Sequence, residues 1–233
     1  MRHLIVGIGE VGGALKLVLN KEEDVQFKDI EDKHIALPID FMHVAIRYTD
    51  DFVKIVKKYI RDYKPKHVIV YSSVPVGTTK KLGKNVVHSP VEGLHPHLKQ
   101  SLGNFTRFIG GTSEETLKAT LDLWSKYARC KIVRDSRFTE FLKLYSTSTY
   151  GINIVWADYG DKWAKKLGMD YALIKEFNTQ YNELYHRLKR PQFKRYVLNP
   201  PHGRIGGHCI TPNAELLDGQ EPHEMLKMIK DMQ

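Results

Sequence analysis

Long apolar runs are missing from this chain. No uninterrupted stretch approaches the ~20 residues needed to cross a bilayer. The opening Met1-Arg-His-Leu-Ile-Val-Gly7 leads into a strand pattern rather than a signal peptide. No membrane partner is expected, and the expected location is the cytoplasm. Cysteine is equally scarce. Cys130 and Cys209 are the only two in 233 residues, too few for a disulfide framework, so both read as thiols in a reducing compartment. Paired CxxC spacings, internal repeats and low-complexity tracts are absent too, which removes zinc modules and solenoids from consideration.

What is present is a globular composition with a basic excess. The chain is 42% hydrophobic, enough for one large domain or two modest ones with cores of their own. Its net charge of +9 favours anionic ligands, whether nucleotide cofactors, sugar nucleotides or nucleic acid, without choosing among them. No nucleic-acid recognition motif or stacking platform accompanies the charge, so nucleic acid is not an expected partner.

Residues 1–133 alternate short β-branched runs with amphipathic stretches. His3–Gly7, Val25–Phe27, His43–Ile46, His67–Tyr71, Asn85–Val87 and Phe108–Ile109 read as strands, and Asp50–Asp62 and Ser113–Ala128 as helices. Such alternation implies parallel strands with crossover helices, a doubly wound α/β sheet of the Rossmann type. The pattern then changes. From Ser136 to about Leu167 there is no proline, apolar residues recur at helical spacing, and Gly168 stands where a helix would end. A second helix is predicted over Asp170–Leu188, followed by basic, proline-containing loops after Arg190. The expected division is a dinucleotide-binding domain over 1–135 and a smaller all-helical domain over 136–233.

Gly7-Ile-Gly9-Glu10-Val11-Gly12 closes the first strand and opens a helix, and Asp29 ends the next strand. The first glycine permits a tight turn, the second lets backbone approach a pyrophosphate, and the third lets helix and strand pack closely. Asp29 would accept hydrogen bonds from the adenosine ribose and repel the extra phosphate of NADP, so NAD is the expected cofactor. The alternative is a glycine turn that serves packing alone.

Three further stretches carry a resemblance. Ser72-Ser73-Val74-Pro-Val-Gly-Thr-Thr79 is similar to an STVPxGTT loop, Phe138-Thr-Glu-Phe-Leu-Lys143-Leu-Tyr-Ser-Thr147 to the start of a long central helix, and Pro201-His-Gly-Arg204-Ile-Gly-Gly207-His208-Cys209-Ile to a GxGxGGHCIP loop. Thr106-Arg-Phe-Ile-Gly-Gly111 also fits an RxxIGG strand. With the glycine loop, these resemble the UDP-glucose/GDP-mannose dehydrogenase family, which oxidises the C6 alcohol of a sugar nucleotide to a carboxylate with two NAD. The resemblance implies a 6-phosphogluconate-dehydrogenase-like helical domain, a homodimer formed by the long helix, and a sugar-nucleotide or other small anionic substrate. It also implies that Ser73 and Val74 border the nicotinamide, that Cys209 is the nucleophile, that Lys143 stabilises oxyanion character, and that Arg204, Gly207 and His208 face the substrate.

The residues support that chemistry on their own terms. A thiolate at Cys209 would hold the aldehyde between two hydride transfers, as a thiohemiacetal and then a thioester. Lys143, Thr147 and Tyr150 fall at i, i+4 and i+7 and share one helix face. The basic run His186–Arg195, with Arg204, would either grip a diphosphate or form a solvated face.

Departures from the family pattern are specific. Thr147 stands where the family has Asn, and Asn213 where it generally has Asp. The proline–glutamate motif reads Ser89-Pro-Val-Glu92-Gly93, with the acid displaced by one. The linker from Asp29 to Phe41 is short. The chain ends soon after the Cys209 loop, so the family's third, nucleotide-binding domain is expected to be missing or supplied by a partner. Reduced or altered activity is one expectation. Rival expectations are a single-step hydroxyacid or prephenate-like dehydrogenase with His88 or His95 as acid/base, and a non-catalytic NAD-binding regulatory protein.

Overall fold

The computed structural model describes residues 1–19, 24–29, 34–93, 97–201, 203–205 and 209–232. It divides into two compact units, residues 1–143 and 144–233.

The first unit is built on seven strands: β1 (Arg2–Val6), β2 (Asp24–Lys28), β3 (Phe41–Val44), β4 (His67–Val70), β5 (Val86–His88), β6 (Arg107–Gly110) and β7 (Cys130–Val133). They lie in the order β2-β1-β3-β4-β5-β6-β7. β1 to β5 are parallel, as the apolar runs predict. β6 pairs antiparallel with β5 through His88 and Gly110, and β7 follows β6 in parallel, so the sheet is mixed and not all-parallel as expected. β7 was not anticipated: Cys-Lys-Ile-Val between two arginines is a short, half-exposed edge strand with little periodicity to read.

Helices α1 (Glu10–Leu19), α3 (Leu98–Asn104) and α4 (Glu114–Trp124) cover one side of the sheet, where Leu15, Leu19, Leu102, Leu117 and Trp124 meet Ile5, Ile69 and Ile109. The other side carries α2 (Phe52–Tyr63) and a short 3-10 turn, Thr79–Lys81. There Phe52, Val56 and Leu82 pack on Leu4, Val44, Val68 and Val86. α2 stops where Lys64 turns left-handed and Pro65 follows, the backbone and side-chain chemistry that cannot extend a helix. Between β2 and β3 the described residues include Ala36, whose backbone exchanges two hydrogen bonds with the Gln26 amide, at 3.0 and 2.8 Å, and Ile35 and Ile39, which fill the core.

A polar layer runs through the first core. His3 Nδ1 lies 2.8 Å from His43 Nε2, His43 Nδ1 lies 2.9 Å from the Tyr71 hydroxyl, and Trp124 Nε1–H donates to that hydroxyl at 3.0 Å. The Arg107 guanidinium covers the Trp124 ring at 3.9 Å. Burial, then the charges of His3 and Arg107, hold His43 well below the ordinary imidazole range.

Helix α5 (Ser136–Lys166) begins in the first unit and continues through the second, ending where Gly168 takes φ +68. α6 (Ala172–Arg187), α7 (Ile210–Asp218) and α8 (Glu224–Lys230) follow, and among the described residues the second unit contains no strand. α7 and α8 replace part of the loop expected after Arg190. Pro212 falls in the first turn of α7, where the N–H it lacks would have had no acceptor within the helix. Gly151 lies where α7 and α8 approach α5: a Cβ there would come within 2.7 Å of the Ile210 side chain and 2.9 Å of the Ile229 side chain, which would have to shift to admit it. Among the described residues no helix is long and apolar enough to cross a membrane.

The polar layer makes a sharp prediction. Tyr71→Phe removes one oxygen yet strips buried His43 and Trp124 of a partner, so it should cost about 2 kcal/mol or more in urea denaturation. A loss under about 0.5 kcal/mol would show that the layer is not a connected network.

Candidate functional site

The strand order places a switch point between β1 and β3, where the chain leaves β1 toward β2 and returns on the other side. In open α/β sheets the crevice beyond the carboxyl ends of such strands receives ligands. The glycine loop lies there. Gly7 has φ +89, its N–H donates to Lys28 O at 2.9 Å, and a Cβ on it would stand 2.6 Å from Ala45 O. A Cβ on Gly12 would stand 1.9 Å from Gly7 O, so α1 can seat against the strand only without one. Gly9 is different: nothing lies within 4 Å of its missing side chain. The loop is therefore closed by two glycines and open over the third.

The first turn of α1, with exposed Glu10, half-buried Val11 and buried Gly12, presents backbone N–H groups that have no intrahelical acceptor. Asp29 follows β2 and is exposed. Donors at a helix terminus, open space above Gly9 and a carboxylate at the neighbouring strand end fit the pyrophosphate and adenosine ribose of a dinucleotide.

Beyond β4, Ser73 is half-buried, and Val74, expected to border the nicotinamide, is wholly buried in the second core. Gly77, at φ +92, and Thr79 both donate backbone N–H bonds to Glu140, at 2.5 and 2.7 Å. Burial raises the Glu140 carboxyl above its ordinary range, against the lowering effect of those bonds. Glu140 thus pins the 72–79 loop to α5. Its signal in the sequence is an acid one turn before Lys143 on the same helix face.

One turn along α5, Lys143 Nζ donates to Val91 O at 2.7 Å and lies 3.5 Å from the Glu92 carboxylate. The displaced acid of the Ser89–Gly93 stretch therefore faces this lysine. In the second unit, Asn213 Nδ2 donates to Thr147 Oγ1 at 3.1 Å. Cys209 is exposed and caps the start of α7, with Asn213 N–H donating to its carbonyl at 3.1 Å. Arg204 is exposed beside Gly203, which has φ +106. Gly207 and His208, expected to face the substrate, lie outside the described residues, as does His95. Among the described residues no His, Cys, Asp and Glu cluster could hold a metal ion.

His88 does not fit the role of an acid/base. It is fully buried, with Nε2 3.2 Å from Ser72 O and Nδ1 3.0 Å from Thr139 Oγ1, and burial lowers it to about 4. It stays neutral at physiological pH and anchors the start of the 72–79 loop.

No family model matches the chain, and no curated protein matches it. Solved structures do. The UDP-D-ManNAc dehydrogenase of Pyrococcus horikoshii superposes with a TM-score of 0.82 at 18% identity, over 100% of this chain and 68% of its own. GDP-mannose dehydrogenase from Pseudomonas aeruginosa gives 0.65 at 15% identity, over 99% of this chain and 68% of its own. The 3-hydroxyisobutyrate dehydrogenase of Mycobacterium tuberculosis gives 0.69 at 13% identity, over 99% of this chain and 91% of its own.

His88 supplies a pH test. Because its folded value lies below the unfolded 6.5, the unfolded chain binds the extra proton, and stability falls as pH drops from 6.5 toward 4. About 2–3 kcal/mol should be lost by pH 4.5 on this account. Denaturation of the wild type and His88→Gln at pH 7 and pH 4.5 measures it, and an equal pH dependence in both proteins would contradict the assignment. At these identities the likeness to solved structures is one of fold, and over its full length the chain has the fold of about two thirds of the nucleotide-sugar dehydrogenases it matches.

Proposed function

We propose that the chain is a divergent NAD-dependent oxidoreductase of the nucleotide-sugar dehydrogenase type, acting on the C6 alcohol of a sugar nucleotide. The observation that carries this reading is the pairing of its candidate residues. Lys143 and Glu92 lie 3.5 Å apart, and Thr147 and Asn213 share a hydrogen bond at 3.1 Å. Each pair joins residues far apart in sequence, and each includes positions where the family pattern had changed.

NAD, when bound, accepts hydride. The glycine loop and the first turn of α1 would hold its pyrophosphate and Asp29 its ribose, with Ser73 bordering the far end. Lys143, its ammonium oriented by the Val91 carbonyl, would stabilise the developing alkoxide as the alcohol loses hydride and proton. The Cys209 thiolate would add to the aldehyde carbon to give a thiohemiacetal, whose loss of a second hydride leaves a thioester. Water then releases the acid and restores the thiol. Glu92 is the carboxylate assigned to draw a proton from that water. The Thr147–Asn213 pair keeps a hydrogen bond where the family has an Asn and an acid, so it can orient water but cannot take its proton. Arg204, with Gly207 and His208, is assigned to the sugar nucleotide.

The experiment is a scan of UDP- and GDP-sugars for NADH production, with Cys209→Ser alongside. Two NADH per sugar are expected from the wild type, and Cys209→Ser should lower the rate of acid formation at least a hundredfold. Absence of turnover with every sugar nucleotide rejects the enzyme. A single-step hydroxyacid dehydrogenase is the second reading, favoured by the 91% coverage of the 3-hydroxyisobutyrate enzyme. It predicts one NADH per substrate and indifference to Cys209→Ser.

The same reading carries a homodimer. α6 has no buried residue in 16, and a cleft of about 930 Å³ in the second unit is lined by Trp156, Tyr159, Trp163, Ile174 and Phe177. A second copy is the occupant this family reading supplies. Sedimentation should give a dimer, and Trp156→Asp with Phe177→Asp a monomer; a monomeric wild type contradicts it.

A further inference from the structure

The net charge of the chain is not spread over it. From residue 54 to residue 84 there are nine lysines and arginines against one acid, Asp62, so this stretch holds +8 of the chain's +9. The stretch is α2, β4 and the 3-10 turn that leads to β5. Lys54, Lys57, Lys58, Arg61, Lys64, Lys66, Lys80, Lys81 and Lys84 are all exposed. The fold puts them on one side of the sheet, because α2, through Phe52 and Val56, and the 3-10 turn, through Leu82, cover the same apolar cluster. On α2 they recur at Lys54, Lys58 and Arg61, one to each turn, about 5.4 Å apart along the axis, and Lys64 follows as its C-cap.

Local acids offset part of this charge. Lys58 pairs with Asp62 at 2.6 Å, Lys66 with Asp40 at 2.7 Å, and Lys54 and Arg61 lie 3.7 Å from Asp51 and Asp62. Among the described residues Lys57, Lys64, Lys81 and Lys84 have no carboxylate in ion-pair range.

We infer that this face is an interaction surface for the sugar–phosphate backbone of a nucleic-acid duplex. Composition selects the partner. Eight of the nine cations are lysines, a residue depleted from protein–protein interfaces but well suited to phosphate as a mobile point charge. No large apolar side chain of this stretch is exposed, so nothing anchors the face in a lipid interface. Tyr59 and Tyr63 are half-buried in the core beneath α2 and offer no platform for bases. A surface with a large excess of cations and without base-reading groups binds backbone and not sequence. The missing recognition motif, which argued against nucleic acid in the sequence, excludes sequence-specific reading only. The surface is independent of the proposed dehydrogenase chemistry.

The test is fluorescence anisotropy of the full chain with labelled 25-base-pair DNA and RNA duplexes of mixed sequence. Binding is expected at 50 mM salt. It should weaken by about 10²–10³-fold at 200 mM, as four to six phosphate contacts require. The variant Lys57→Glu, Lys64→Glu, Lys81→Glu, Lys84→Glu should lose it. A charge-matched control, Lys99→Glu, Lys118→Glu, Lys126→Glu, Lys189→Glu, should keep it within a few-fold, with circular dichroism confirming that both fold. Equal loss in the two variants, no binding at 50 mM salt, or equally tight binding of poly-glutamate or phosphatidylserine vesicles overturns the inference. The DNA and RNA arms decide which duplex the surface prefers.

Discussion

Two glycines that can be nothing else set the geometry of the first unit. A Cβ on Gly12 would stand 1.9 Å from the carbonyl of Gly7, and one on Gly7 would stand 2.6 Å from that of Ala45. Helix, first strand and third strand therefore close on one another at the carboxyl edge of the sheet. The start of α1 is held in the crevice at the switch point, where its first N–H groups have no acceptor within the helix. The open space above Gly9 is the complement of that closure. The same contacts that make the core compact leave one position where a ligand's phosphates can approach backbone.

Helix α5 carries the rest. Within its first three turns it supplies Thr139 to His88, Glu140 to the 72–79 loop, Lys143 to the Val91 carbonyl and Glu92, and Thr147 to Asn213. A helix face repeats every 3.6 residues, so Lys143 and Thr147 share an aspect one turn apart. Thr147 and Asn213 bond to each other through a hydroxyl and an amide, and Glu92 lies 3.5 Å from Lys143.

Much of this was readable because it is written in short-range patterns. β-branched runs mark β1 to β5, the glycine spacing marks the turn at β1, and Gly168 marks the end of α5. What escaped depends on contacts between distant residues. The reversal at β6 rests on a single pairing of His88 with Gly110, which no local period encodes. β7 is an edge strand of four residues without alternation. α7 and α8 pack on α5 at Gly151, a contact between residues distant in sequence. His88 reads as a catalytic candidate by type, yet burial with two hydrogen-bond partners makes it structural. Glu140 was visible in the sequence but had no assigned partner until the 72–79 loop closed on it.

The account rests on the glycine loop holding a dinucleotide, and calorimetric titration of NADH into the protein tests that most directly. One NADH should bind per chain with micromolar affinity, and Gly9→Val, which fills the open space without disturbing the close contacts of Gly7 and Gly12, should abolish binding while leaving the folded state intact. Binding that survives Gly9→Val unchanged, or no binding to the wild-type chain, would contradict it.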